Sequence, residues 1–153
     1  MSLASVQSFL ATHAPDLHVI ELAESTATVA LAAAAHQVEP GQIAKTLSLR
    51  TDTGIMVIVM RGDARLDNKK FKALFNTKAK MLDATEVEPA TSHPVGGVCP
   101  FGLPDGVRVF CDTSLKAFDE VIPAGGAINA AVCVNPERMA ALVNAPWIDV
   151  AQA

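Results

Sequence analysis

Hydrophobic positions along the chain fall into blocks of two periods. Leu3, Val6, Phe9 and Leu10 recur at helical spacing behind Ser2, which is placed to cap a first helix that ends before Pro15. "LHVIEL" predicts a short strand. "STATVALAAAAHQV" predicts an Ala-rich helix capped by Ser25 or Thr26 and broken at "EPGQ". "IAKTLSLR", a turn "TDTG" and "IMVIVM" predict a hairpin whose second strand, apolar throughout, is buried on both faces. Leu66, Lys70, Phe71, Leu74 and Phe75 gather near one side of a helix over "LDNKKFKALF", with Asp67 as its cap. A short strand or turn near "KAKML", a helix around "DATEVEPA", a strand "VRVFCD", a strand "INAAVCV", a helix "NPERMAALVNA" and a last strand "WIDVA" complete the pattern. With neither repeats nor a linker, residues 1–153 read as one domain of mixed helices and strands, whose hairpins require a sheet that is not all parallel.

One residue is out of phase. In "IAKTLSLR", Ile43, Leu47 and Leu49 share a face, and Lys45 falls on it. A lysine there either snorkels out where the strand end opens to water or stands as a fixed cation at the rim of a cavity, against a phosphate or a polarised carbonyl. A second anomaly is "HPVGGVCPFGLP", an uncharged loop from His93 to Pro104. Prolines 94, 100 and 104 restrict it, and glycines 96, 97 and 102 let its backbone turn tightly or approach something closely.

Composition narrows the chemistry. Half of the 153 residues are apolar and only 5% aromatic, so the core is Val, Ile, Leu and Ala. No apolar run approaches the roughly 18 residues of a membrane span. "MSLASVQSFL" lacks the basic and long apolar regions of a signal peptide, so a cytoplasmic location is expected. Three widely spaced cysteines argue against a disulfide framework and against zinc pairs, and no metal or organic cofactor is indicated. Cys111 and Cys133 sit in apolar strands and read as core; His13, His18 and His36 lack metal-ligand spacing. The net charge of −4 hides a segregation: residues 45–80 hold nine of the twelve basic residues against three acids, while both flanks are acidic. Such a segment is either a solvated helix face or a local phosphate-attracting surface.

Taken together, "GQIAKTLSLR", "RGDARLDNKKFKALF", "GGVCPFGLP" and the "PAGG" turn before "INAAVCV", in this order and spacing, resemble the YbaK/ProX family of aminoacyl-tRNA deacylases, free-standing relatives of the editing domain of bacterial prolyl-tRNA synthetases. The likeness runs from about Ser25 to Val150. It implies an α+β fold with a mixed, largely antiparallel sheet curled into a partial barrel around a small pocket and flanked by helices. It implies hydrolysis of a wrong small amino acid from the 3′ end of a tRNA, typically one for proline, with the tRNA acceptor end as ligand, prolyl-tRNA synthetase as a partner, and neither DNA nor membrane. Lys45 takes the place of the family's signature strand lysine. The family's G-x-x-x-P loop maps onto Gly96 to Pro100, and its Gly-Gly turn onto Gly125 and Gly126. A histidine that some members carry after that turn is missing among Ala127, Ile128 and Asn129.

The residues suit that chemistry. An aminoacyl ester is already activated, so hydrolysis asks for donors aimed at the developing oxyanion and a positioned water or ribose hydroxyl rather than a strong nucleophile. Backbone N–H groups of Gly96, Gly97 and Val98 are the expected donors, with Lys45 holding the terminal phosphate or ribose. Cys99, Pro100, Phe101, Gly125, Gly126, Ala127 and Asn129 are expected to line the substrate site, and Lys69, Lys70 and Lys72 to touch the tRNA backbone without reading sequence. Two other readings stand beside this one: a non-catalytic tRNA- or synthetase-binding module with the same pocket, and a cysteine hydrolase using Cys99 with His93.

Overall fold

The computed structural model describes residues 2–152. In chain order the elements are α1 (Ser2–His13), β1 (Ile20–Glu21), α2 (Val29–His36), β2 (Ile43–Thr51), β3 (Gly54–Arg61), α3 (Asn68–Phe75), β4 (Lys80–Met81), α4 (Ala84–Thr91), β5 (Arg108–Asp112), β6 (Ile122–Pro123), β7 (Ala130–Ala131), α5 (Pro136–Leu142) and β8 (Trp147–Ile148), with 3-10 turns at Pro40–Gln42 and Thr113–Ala117.

The hairpin forms as its alternation demands. β2 and β3 pair antiparallel from Ala44 opposite Arg61 to Thr51 opposite Gly54. Met56, Val57, Ile58, Val59 and Met60 are all fully buried, because layers cover both faces of β3. On one face Val59 and Ala44 pack with Val6 and Leu10 of α1, Phe101, Cys111 and Met139. On the other, Met56, Ile58 and Met60 pack with Leu49, Phe71 of α3 and Val150. Each such side chain contributes about 1.5–3 kcal/mol on burial.

The helix caps are local decisions. The Asp67 carboxylate accepts from the N–H groups of Lys69 and Lys70 at 2.9 and 3.1 Å. Asp83 and Glu86 form a reciprocal capping box at α4, and Asn135 caps α5. Two expectations about caps need correction. Ser2 is the first helical residue of α1 rather than its cap. α2 is capped by Thr28, not Ser25 or Thr26, because the N–H and hydroxyl of Thr26 are both drawn to the Ile128 carbonyl, at 2.6 and 3.2 Å.

The sheet is mixed, and its longest pairing, β2 with β3, is antiparallel. β3–β5, β5–β8 and β2–β6 are parallel; β2–β3, β2–β4 and β1–β7 are antiparallel. The tight turn at Asp52 and Thr53 forces one antiparallel pair, whereas the path from β3 to β5 passes through α3 and α4 and re-enters in the same direction. Among the described residues the strand order β4-β2-β3-β5-β8 is an open path, so the sheet is not closed into a barrel. "INAAVCV" contributes a two-residue strand, Ala130–Ala131, because the carbonyls of Ile128 and Asn129 lie in a turn and accept from Thr26 and Leu22 instead.

One detail positions the site. On the side of β2 away from β3, β6 pairs with Ile43 and Ala44, and β4 with Leu49 and Arg50. The Leu82 N–H reaches the Ser48 carbonyl at 3.0 Å. Among the described residues, 45–47 have no strand partner on that side. No helix among the described residues is long and apolar enough to cross a membrane.

Candidate functional site

A cavity of ≈ 250 Å³ opens at this gap in the sheet. Its floor is Ile43 to Thr46 and Ser48 of β2. Ile122, Pro123 and Ala124 close one side, and Met81, Leu82 and Val87 the other. Thr26 to Val29 come from the start of α2, Ala130 and Ala131 from β7, and Val95, Gly96 and Val98 from the loop after α4. Residue 45 and the Gly/Pro loop thus share one chamber. Lys45 is the one charged residue in its walls, which contain no carboxylate, imidazole or thiol. Among the described residues no three His, Cys, Asp or Glu side chains gather to hold a metal ion.

Lys45 is half-buried, and its Nζ donates to the Ala64 carbonyl in the turn after β3. Burial pulls its pKa down; Asp63 nearby opposes that shift and Arg65 adds to it. The ammonium is therefore steered by one carbonyl and one neighbouring carboxylate, itself clasped by Arg61 at 2.6 Å.

The loop is built by close approach. A Cβ at Gly97 would lie 2.8–3.0 Å from main-chain atoms of Ala127, and one at Gly96, where φ is +87°, would lie 2.8 Å from the Ala27 side chain. The Gly97 N–H is spent on the Pro94 carbonyl at 2.9 Å, and its own carbonyl accepts from Gly126 N–H at 3.0 Å. The N–H groups of Gly96 and Val98 find no acceptor among the described residues. Of the three expected donors, two line the cavity with their hydrogens uncommitted, and Gly97 serves instead to hold the loop against residues 125–127.

The remaining expected residues divide by position. Cys99 and Phe101 are fully buried and face the core, not the cavity; burial pushes the Cys99 thiol up to about 12. Pro100 is buried with them and is absent from the cavity walls. Gly125 and Gly126 lie behind the wall formed by Ala124, and Ala127 is the surface on which Gly97 rests. Asn129 is a brace: its Nδ2 donates to the Leu22 carbonyl at 2.9 Å. On α3, Lys69 and Lys72 are exposed, but Lys70 Nζ is held by Asp149 at 3.1 Å and the Ala151 carbonyl at 2.9 Å.

Sequence reasoning missed the hydroxyl-bearing walls: Thr26, Thr28, Thr46 and Ser48. The Thr46 Oγ1 is buried with no partner among the described residues. Their signal was present, since Ala44, Thr46 and Ser48 alternate as small residues on one face of β2.

The same architecture occurs in known proteins. A solved structure described as a candidate trans-editing enzyme for prolyl-tRNA synthetase superposes with a TM-score of 0.91 and 32% identity, covering 99% of this chain and 98% of that one. YwhH of Bacillus subtilis, a protein uncharacterised in function, is 41% identical over 152 residues, 98% of this chain and 97% of its own. A proline–tRNA ligase of Desulforamulus reducens is 29% identical over 103 residues, which are 66% of this chain but 18% of the ligase, so the likeness is to one segment of a larger enzyme. The family model of the aminoacyl-tRNA editing domain matches residues 23–142, a span that holds every wall of the cavity described above. The chain belongs to the aminoacyl-tRNA editing domain family.

Proposed function

We propose that this protein hydrolyses the 3′ aminoacyl ester of a mischarged tRNA, a tRNA for proline carrying a wrong small amino acid, acting beside prolyl-tRNA synthetase. The observation that carries the reading is that Lys45, Gly96 and Val98 line one small cavity, that the N–H groups of Gly96 and Val98 find no acceptor among the described residues, and that the polar walls other than Lys45 offer only hydroxyls. Water positioned by the neighbouring ribose hydroxyl attacks the ester carbon, and the proton it gives up is the one the leaving ribose oxygen takes. The carbonyl oxygen becomes an oxyanion facing the two N–H donors, and the carbon–oxygen bond to the ribose breaks as that oxygen takes a proton. Each donor of this kind contributes on the order of 3 kcal/mol to the barrier. Lys45 exchanges the Ala64 carbonyl for the terminal phosphate or ribose and so holds the ester in register. The walls Ala130, Ala131 and Val95 limit the acyl group. A separate sieve of this sort is needed because one methylene gives a synthetase pocket only about 1–3 kcal/mol of discrimination.

A binding module without turnover is the second reading, favoured by the ammonium of Lys45 being already satisfied by a protein carbonyl. A panel of tRNAs charged with Ala, Ser, Cys, Thr and Pro, followed for amino-acid release, separates the two. Hydrolysis of a mischarged member, lost in Lys45→Ala, supports the enzyme. Retention of every ester with salt-dependent tRNA binding supports the module.

A further inference from the structure

We propose that His93 is a positioning residue whose imidazole ties together the two ends of the loop carrying Gly96 and Val98, and so fixes their N–H groups at the cavity wall. Its catalytic consequence rests on the proposed function; the tether itself does not.

His93 is fully buried outside the cavity. Its Nε2 lies 2.7 Å from the Phe101 carbonyl oxygen. A carbonyl only accepts, so Nε2 carries the hydrogen and Nδ1 is a bare lone pair. Nδ1 is itself buried with no partner among the described residues, so nothing receives a second ring proton and the neutral tautomer is the one the site accommodates. At the near end, the His93 N–H donates to Thr91 Oγ1 at 3.2 Å, and that hydroxyl donates to the Val87 carbonyl of α4 at 2.7 Å. At the far end, the fully buried Phe101 ring stacks 5.8 Å from Phe9 of α1. The imidazole is therefore a chord between the α4 side and the α1 side of the core.

Between those anchors, residues 94–100 are packed closely but make few backbone hydrogen bonds. Their other backbone ties among the described residues are the Gly97-to-Pro94 turn and the Gly126-to-Gly97 bond. Cys99 Sγ lies 3.7 Å from Nε2 and donates to the same Phe101 carbonyl at 3.6 Å, but a thiol is too weak a donor to replace the ring. An apolar side chain would fill the space without a buried unpaired nitrogen, so the use of an imidazole here matches a need to hold the Phe101 carbonyl.

The test compares His93→Leu, which keeps the bulk and removes the donor, with His93→Gln, whose amide N–H₂ reaches the position of Nε2. Amide hydrogen exchange is read by NMR in the full chain at one pH. The expected result is a rise of about 10-fold or more in Gly97 exchange in His93→Leu relative to Val57 and Val59 of β3, restored in His93→Gln. Exchange at Gly97 that stays at the wild-type value, or rises only in step with β3, overturns the tether. In the deacylation assay His93→Leu is expected to lower kcat by about 10- to 100-fold with KM nearly unchanged, and His93→Gln to recover most of it. A loop loosened in His93→Leu, with a wild-type protein that hydrolyses no aminoacyl-tRNA, would sink the proposed function while leaving the tether in place. A wild-type enzyme that works, with His93→Leu equally active, would remove the catalytic consequence. Should His93→Leu not fold, ¹⁵N shifts of the wild-type ring decide: a hydrogen on Nε2 at pH 7 supports the tether, and the opposite tautomer, with Nε2 bare, refutes it.

Discussion

Replacing Gly97 by alanine puts the loop's close approach to a quantitative trial. A Cβ there would stand 2.8 Å from Ala127 N and 3.0 Å from its C and Cα, about 0.6 Å inside the 3.4 Å at which ordinary contact begins. All three neighbours are main chain, so no flexible side chain can swing away. The φ at Gly97 is outside the left-handed region, and the cost is therefore contact rather than backbone strain. Overpacking of this kind costs about 1–3 kcal/mol. Relief by sliding the loop outward lengthens the Gly126 N–H bond to the Gly97 carbonyl, at 3.0 Å, whose loss adds about 1 kcal/mol. The expected destabilisation is about 2–4 kcal/mol, a large share of the roughly 5–15 kcal/mol that holds a domain folded. The same slide carries the Gly96 and Val98 donors off their positions, and a displacement of about half an ångström should lower kcat by about 10-fold. Gly106→Ala is the control: φ is +91° but nothing lies within 4 Å, so only about 1–2 kcal/mol of backbone cost follows and activity is unchanged. Urea unfolding and single-turnover deacylation read both effects. A Gly97→Ala protein no less stable than Gly106→Ala, and as active as wild type, refutes the packing argument.

Three further outcomes are expected. Cys99→Ala should retain full turnover, and thiol reagents should leave the native protein active, because the sulfur is buried with its pKa at about 12; inactivation by such a reagent, abolished in Cys99→Ala, would restore the cysteine-hydrolase reading. In salt titrations of tRNA binding, Lys69→Ala and Lys72→Ala should each flatten the slope by about 1, whereas Lys70→Ala should leave it unchanged, its ammonium being engaged by Asp149 and the Ala151 carbonyl. Burial holds the His93 pKa below its ordinary 6.5, so the unfolded chain takes up the proton first. The component of stability due to His93 is then complete above 6.5 and lost as pH falls toward the depressed folded-state value, the nearby Cys99 thiol staying neutral throughout. Urea midpoints of wild type and His93→Gln between pH 8 and pH 5 should diverge on the acid side; parallel curves would contradict this.

What could be seen in advance was what short range decides. The β2–β3 hairpin follows from alternation around a two-residue turn, and the Asp67 and Asp83 caps follow from carboxylates two or three residues ahead of the N–H groups they bind. Lys45 and the Gly96–Val98 stretch were legible because each violates a local rule: a charge in an apolar phase, and glycines that only a close neighbour explains. What escaped notice depends on distant partners. Thr26 leaves its helix for the carbonyl of residue 128, and Lys70 is claimed by a carboxylate 79 positions away. The residues of the Gly/Pro loop divide between cavity and core. Gly96 and Val98 meet the chamber, while Cys99 and Phe101 meet α1 and β5, which no spacing within the loop reveals.

The interrupted edge of β2 sets a limit on what this fold can accept. Three successive positions without a neighbouring strand span about 10 Å, bounded by β6 at one end and β4 at the other. An extended polypeptide adding itself to that edge would collide with both flanking strands before it made a second pair of backbone bonds. A compact terminal group entering end-on meets no such barrier. The two short strands thus act as bookends, barring strand addition along this stretch of β2 while keeping open a berth three residues long.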